Sequence, residues 1–321
     1  DPVQDYLWNI CEESNWVVPA HEWAIIDLFA AETGFQLAET LRLLKGTLQD
    51  EVVARVRMEI EKRILQNYLL HHAAHWWFKG TNNWNGVCNS SVGCTFLLLE
   101  EDTDRLAQAL SLVLDGLETF LDTAFEADGG STEGVGYWQY GLINMVFFSE
   151  MLRQRTQGKI DILSSVEKLK AITLYPLSVN MSPGRFASFS DSEEPSSFHP
   201  GFVTRLAERT GQQDVKSILI GPGTQKGLPW GLPTALRTML WWKGPLPEQV
   251  LLTDSHLPDA GVVRLVAETH DHAPVVVAFK AGHNGENHNQ NDVGTFIIHV
   301  GGETLLCDPG RGLYSRQYFS H

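Results

Sequence analysis

The chain has no apolar run long enough to cross a bilayer, no CxxC pair and a shortage of basic residues. A membrane-spanning helix needs about 20 predominantly apolar residues in a row, and no stretch of the 321 residues supplies one. The four cysteines, Cys11, Cys88, Cys94 and Cys307, lack zinc-finger spacing and read as free, mostly buried thiols. Lys and Arg number 24 against 39 Asp and Glu, giving a net charge of −15. Binding to phosphate backbones depends on a basic surface. The composition therefore argues against a general nucleic-acid or anionic-membrane binder, while leaving room for a local basic cleft. No signal peptide is visible. The chain begins abruptly at Asp1-Pro2, so a leader could have been removed, and the expectation is a secreted or periplasmic protein, with a cytoplasmic one as the alternative.

Hydrophobic residues make up 43% and charged residues 20% of the chain, which is globular composition. The length suits one large or two ordinary domains. Ten tryptophans are present. Several sit beside polar residues, as in HWWFKGTNNWN (75–85) and GYWQYG (136–141), and aromatic faces beside amides and hydroxyls are one way to grip a sugar ring.

Periodicity divides the chain. Over 50–72, Val53, Val56, Ile60, Ile64 and Tyr68 recur at three- and four-residue steps, and over 103–124 so do Leu106, Leu110, Val113, Leu117 and Leu121. Both stretches predict amphipathic helices. Further helices are expected near 21–33, 36–45, 90–100, 135–156, 162–173, 201–211 and 233–242. Near residue 245 the character changes. GVVRLVAE (261–268), APVVVAFKAG (273–282) and VGTFIIHV (293–300) read as strands, and Gly301-Gly302 as a hairpin turn. The expected organisation is thus a helical domain over 1–245 and the first strands of an antiparallel sheet domain over 246–321. About four strands make a marginal sheet, so the sheet is expected to lean on the helices or to continue beyond residue 321.

Three polar clusters carry the chemistry. GTNNWNGVCNSS (80–91) places four asparagines around Trp84. DGGSTEGVGYWQYGL (128–142) is a glycine-rich approach to a helix bearing Tyr137 and Tyr140. NHNQND (287–292) opens the last hairpin, with Asp308 following in CDPG. Each has an ordinary structural reading: helix caps, aromatic packing and a solvated loop. HHAAH (71–75) has no Glu in the HExxH position and reads as packing or helix-end polarity. SPGRFASFSDSEEPSSFHP (182–200) reads as a surface loop offering Arg185, Asp191 and His199.

Together NNWNGVCN (82–89), EGVGYWQYG (133–141) and NHNQNDVGTF with GGETLLCDPG (287–296, 301–310) resemble the heparinase II/III family of polysaccharide lyases, a group that includes oligoalginate and broad-specificity glycosaminoglycan lyases. The resemblance implies an incomplete α/α toroid followed by an antiparallel β-sandwich, of which only the start is present. It implies β-elimination at a uronic acid. A hydrogen bond from Asn neutralises the sugar carboxylate, a base takes the C5 proton, and an acid protonates the departing O4. The resemblance carries the base onto His288 and the acid onto Tyr140 or Tyr137. It carries the neutraliser onto Asn83 or Asn85, with Tyr140 and Asn83 placed first. Asn287, Trp84, Glu133, Trp138 and Arg185 become candidate substrate contacts.

Relatives also hold a metal, which would fall here to Asp308 and Gln290. An amide oxygen in place of an imidazole suits Ca or Mn better than Zn, and the alternative is an empty site held by hydrogen bonds. The expected partner is an acidic polysaccharide or oligosaccharide, not a nucleic acid or a membrane, with Lys79, Arg185, Lys280, Arg311 and Arg316 as a local basic cleft. The alternatives are a glycoside hydrolase, which would need two carboxylates such as Glu133, Asp128 or Asp191, and a non-catalytic glycan binder.

Overall fold

The helical spacing of apolar side chains is realised through most of the chain up to Trp241. The computed structural model of the protein describes residues 1–21, 25–220, 231–245, 251–288, 291–313 and 315. Its helices are α1 (Pro2–Glu12), α2 (Leu28–Leu43), α3 (Asp50–Ile60), α4 (Gln66–His71), α5 (Asn83–Leu99), α6 (Thr103–Thr123), α7 (Gly134–Arg155), α8 (Ile162–Ser165), α9 (Lys168–Ser178), α10 (Pro200–Thr210) and α11 (Gly231–Trp241). Its strands are β1 (Asn180–Ser182), β2 (Arg185–Phe186), β3 (Ser255–Leu257), β4 (Val262–Glu268), β5 (Pro274–Lys280), β6 (Phe296–Val300) and β7 (Glu303–Leu306).

Several elements differ from expectation for local reasons. The stretches 21–33 and 36–45 do not form two helices. Asp27 caps α2, its carboxylate accepting the Ala30 N–H at 2.8 Å, and the helix runs unbroken from Leu28. The unpredicted α1 starts on an Asp1 cap with Pro2 in its first turn. The predicted helix over 50–72 is continuous but widens into π-helical turns over Glu61–Leu65. The small β1–β2 ribbon lies within the region read as helical.

The chain forms two compact units. Unit 1 comprises Asp1–Thr123, Tyr140–Ile162 and Pro229–Met239; unit 2 comprises Ala124–Gln139, Leu163–Leu228 and Leu240–His321. The switch from helix to sheet near residue 245 is therefore not where the units divide.

In unit 1, α5 packs against α2 and α6. From Asn83 to Phe96 every residue of α5 except Trp84 is buried. Such a helix cannot show an amphipathic stripe, which is why periodicity found only its second half. Close packing comes from small residues. A Cβ on Gly116 of α6 would sit 2.4 Å from the Asn89 amide nitrogen.

In unit 2 the five strands pair antiparallel in the order β3-β4-β5-β6-β7. Val262, Arg264, Val276, Ala278 and Lys280 are buried at alternate positions of β4 and β5, the period-2 pattern that the sequence displays. The β6–β7 turn is made by Gly301 and Gly302 with φ of +60° and +92°, the two successive left-handed residues that a tight hairpin requires. The sheet does lean on helical structure: β3 packs on α9 and β5 on β1, all within unit 2.

Candidate active site

Stretches distant in sequence meet in unit 2 around the start of α7. Gly134 has φ of +83°, and a Cβ there would lie 2.2 Å from the Ser192 hydroxyl. Glycine lets that hydroxyl close in and accept the Val135 N–H at 2.8 Å, which caps the helix. Alongside, the Ser190 N–H donates to Asp292 at 2.5 Å, and the Ser188 hydroxyl donates to the Asp308 carbonyl at 3.3 Å. The segment expected as a surface loop is instead buried from Phe186 to Ser192. Its polar groups have partners in these contacts, so burial does not leave them unsatisfied.

This clasp holds Ser190, His288 and Asn291 at φ of +56°, +55° and +61°, a region non-glycine residues seldom occupy. Strained backbone of this kind concentrates at functional sites. The His288 ring is pinned from three sides. Its Nδ1 is hydrogen-bonded to Asp191 Oδ2. Its Nε2 lies 3.1 Å from Glu133 Oε1. Its face stacks on Tyr137, with ring centroids 4.3 Å apart and planes inclined by 20°. Both carboxylates are almost fully buried, and the imidazole remains 23% exposed. Burial by itself disfavours the charged ring. The hydrogen bonds and charges of Asp191 and Glu133 outweigh it and raise the pKa to about 9, so the ring carries its proton at neutral pH.

The other predicted residues of unit 2 fall into two groups. Glu133 and Asn287 belong to the segments around His288, Asn287 in the same turn and half-buried. Trp138 is fully buried, donates its indole N–H to the Ile172 carbonyl at 2.7 Å and packs edge-on against Phe198 and Phe202. It is a core residue with no face for a sugar. Asp128 accepts from the Gly130, Asp259 and Ala260 N–H groups and holds two turns together.

Asp308 accepts the Gly310 N–H at 2.7 Å. Gln290 lies outside the described residues. No group of three or more His, Cys, Asp or Glu suited to a metal occurs among the described residues.

Unit 1 contains the asparagine cluster and Tyr140. The asparagines form the beginning of α5, not a loop. Asn82 is the N-cap, accepting the Trp84 N–H at 3.2 Å. Asn85 donates to the Gly80 carbonyl at 2.9 Å and accepts from Asn89 at 2.8 Å, and Asn89 accepts the Tyr68 hydroxyl at 2.7 Å. Asn85 is thus part of a buried structural network. Asn83 is buried two residues earlier, where Gly141 of α7 approaches its Cα. Replacing Asn89 by Ala is expected to lower stability by about 1–3 kcal/mol, because Asn85 and Tyr68 each lose a buried partner. A reduced urea midpoint with an unchanged m-value would register this.

Trp84 is half-buried, its ring 4.9 Å from Trp76 and 4.9 Å edge-on from His21. Trp76 is 46% exposed, so the two indoles give unit 1 an aromatic surface. His75 stacks on Trp77 at 4.8 Å, and burial with the nearby His71 and His72 lowers its pKa to about 4. In HHAAH, His75 packs while His71 is exposed at the end of α4.

Tyr140 donates its hydroxyl to Glu32 at 3.1 Å. Burial, then the Glu32 and Cys88 charges, push its pKa further above the ordinary phenol range. Glu32 was invisible in the sequence, where it is one of two glutamates in α2.

The expected basic cleft is corrected. Lys79 meets Asp115 at 2.6 Å, Arg185 meets Glu194 at 2.7 Å, Lys280 meets Glu286 at 2.8 Å and Arg311 meets Glu193 at 3.2 Å. Arg316 lies outside the described residues. In a chain with so many carboxylates, each of these cations finds one nearby.

No family model matches the sequence, and no curated protein matches it. Solved structures do resemble the fold. A crystal structure of a mutant heparan sulfate lyase HepC from Pedobacter heparinus superposes with a TM-score of 0.62 at 15% identity, over 97% of this chain and 46% of that one. A crystal structure of heparinase III superposes with a TM-score of 0.65 at 14% identity, over 96% of this chain and 47% of that one. The likeness is one of fold: helices followed by antiparallel sheet. The chain spans about half the length of these structures.

Proposed function

We propose that the chain carries catalytic machinery of a polysaccharide lyase, cleaving uronic-acid-containing glycans by β-elimination on the opening part of an α/α toroid and β-sandwich. The observation that carries this reading is the His288–Tyr137 pair. An imidazole and a phenol, the two side chains suited to moving protons at neutral to alkaline pH, stack at 4.3 Å in a turn of strained backbone. A structure of similar fold is of a heparan sulfate lyase.

In this reading His288 removes the C5 proton when it lies opposite the leaving oxygen. A tyrosine of α7 serves when proton and oxygen share a face. Asn83 neutralises the uronate carboxylate, since Asn85 is held in the Asn89–Tyr68 network. Tyr140 protonates the departing O4. Trp84 supplies an aromatic wall. Pairing of the four described cations supports a polymer of lower charge density over a heavily sulfated one.

A hydrolase reading has carboxylates to use, because Glu133 and Asp191 stand on either side of His288. Both are engaged by the imidazole, which leaves elimination better supported. The test is a panel of heparan sulfate, chondroitin, hyaluronan and alginate. A lyase produces a conjugated unsaturated uronate with new ultraviolet absorbance. New reducing ends without that absorbance would mean hydrolysis, and binding without either would mean a glycan-binding protein.

A further inference from the structure

Glu32 is a largely buried acid that the proton transfers above leave unused. Its Oε2 accepts the Tyr140 hydroxyl at 3.1 Å, and its Oε1 faces the Asn144 amide at 3.4 Å. Asn144 is in turn met by the Ser91 hydroxyl at 3.5 Å. A cavity of about 20 Å³ adjoins the carboxylate, bounded by Gln36, Asn144 and Thr234 among others, and that is room for one water. Among the described residues no cation pairs with the carboxylate. Asp27, on the turn before α2, adds like charge, and Cys88 of α5 is a buried thiol. The Arg237 guanidinium of α11 is taken by Glu39 at 2.5 Å. A carboxylate so placed favours its neutral form.

We propose that Glu32 is the positioning and proton-supplying residue behind Tyr140, re-protonating the phenol as it gives its proton to the leaving oxygen. The inference rests on the lyase reading. The base takes the C5 proton, and the C5–H electron pair becomes the C4–C5 double bond. The C4–O4 bond breaks with its pair going to O4. With Glu32 neutral, its O–H donates to the Tyr140 oxygen, the reverse of the bond made to the carboxylate, which leaves the phenol proton for O4. The Tyr140 O–H bond breaks as O4–H forms, and the Glu32 O–H bond breaks as a new O–H forms on Tyr140. Tyr140 therefore never has to persist as a buried phenolate, and Glu32 ends as a carboxylate that water re-protonates. The acid is poised for this. Burial raises its pKa to about 7, against the opposing hydrogen bonds of Tyr140 and Asn144.

Two measurements test it together. In carbon-13 NMR of carboxyl-labelled protein, one glutamate resonance should titrate near pH 7, vanish in Glu32→Gln, and shift to higher pKa in Tyr140→Phe, which removes a hydrogen bond that favours the carboxylate. In steady-state elimination, Glu32→Gln should hold KM within about twofold, lower kcat by about 10- to 100-fold and remove the limb near pH 7 from the kcat profile. Glu32→Asp should recover part of the rate. A glutamate titrating near 4, or a Glu32→Gln enzyme with unchanged kcat and pH profile, would overturn the proposal. The coupled titration without unsaturated product from any uronate polymer would support the Glu32–Tyr140 couple and overturn the lyase reading.

Discussion

Replacing His288 by Asn is expected to leave the protein folded and to lower kcat by about 10²–10⁴-fold, the contribution of a positioned proton-transfer group. The loss should appear on uronates whose C5 proton lies opposite the leaving oxygen. Asn is the informative substitution for two reasons. Residue 288 has φ of +55°, and Asn is among the few residues that tolerate the left-handed region. Its amide also donates hydrogen bonds, so a buried carboxylate keeps a partner. Alanine does neither. His288→Ala would leave Asp191 and Glu133 facing each other, buried and without their shared cation. Breaking a buried pair on one side costs about 3–5 kcal/mol. Single-turnover rates and urea midpoints on both variants separate the effects. Undiminished single-turnover rate in His288→Asn would remove His288 from the mechanism.

Stability and activity are expected to move in opposite directions between pH 7 and pH 10. The folded pKa of His288 is about 9, above the value near 6.5 of an unfolded histidine. A raised histidine pKa stabilises the folded state fully below the unfolded pKa, and that stability is lost as pH rises through the folded one. The difference amounts to about 3 kcal/mol at 1.36 kcal/mol per pH unit. A base, however, must be neutral to accept a proton. Turnover that depends on His288 should therefore climb toward pH 9 while the urea midpoint falls. Asp191→Asn removes a main cause of the raised pKa and should move the activity limb to lower pH. A profile unchanged by Asp191→Asn would mean that another group sets the limb.

Much of this was legible locally. Three- and four-residue spacing gave α3, α4 and α6, alternation gave β4 and β5, and Gly301-Gly302 gave the last hairpin. These features depend on neighbours within a few residues, so the sequence displays them directly. The helix α5 was half hidden because it is buried almost all round. Its asparagines read as helix caps, a role Asn82 fills, while the amides of Asn85 and Asn89 bond one another and Asn89 bonds Tyr68.

The sequence by itself determined the order of helix then sheet and the three polar segments from which the candidate site is drawn. Only the tertiary structure decided what each side chain does within them. Tyr137 and Tyr140 fit the same motif, yet one stacks on His288 and the other bonds Glu32, 108 positions away. Trp138, between them, points into the core. Asp191 reaches His288 across 97 positions. Four hoped-for cations of a basic cleft each face a carboxylate. Periodicity reports which face of an element is buried. It says nothing about which distant group lies across that face, and protonation, pairing and reach depend on that group through distance and burial.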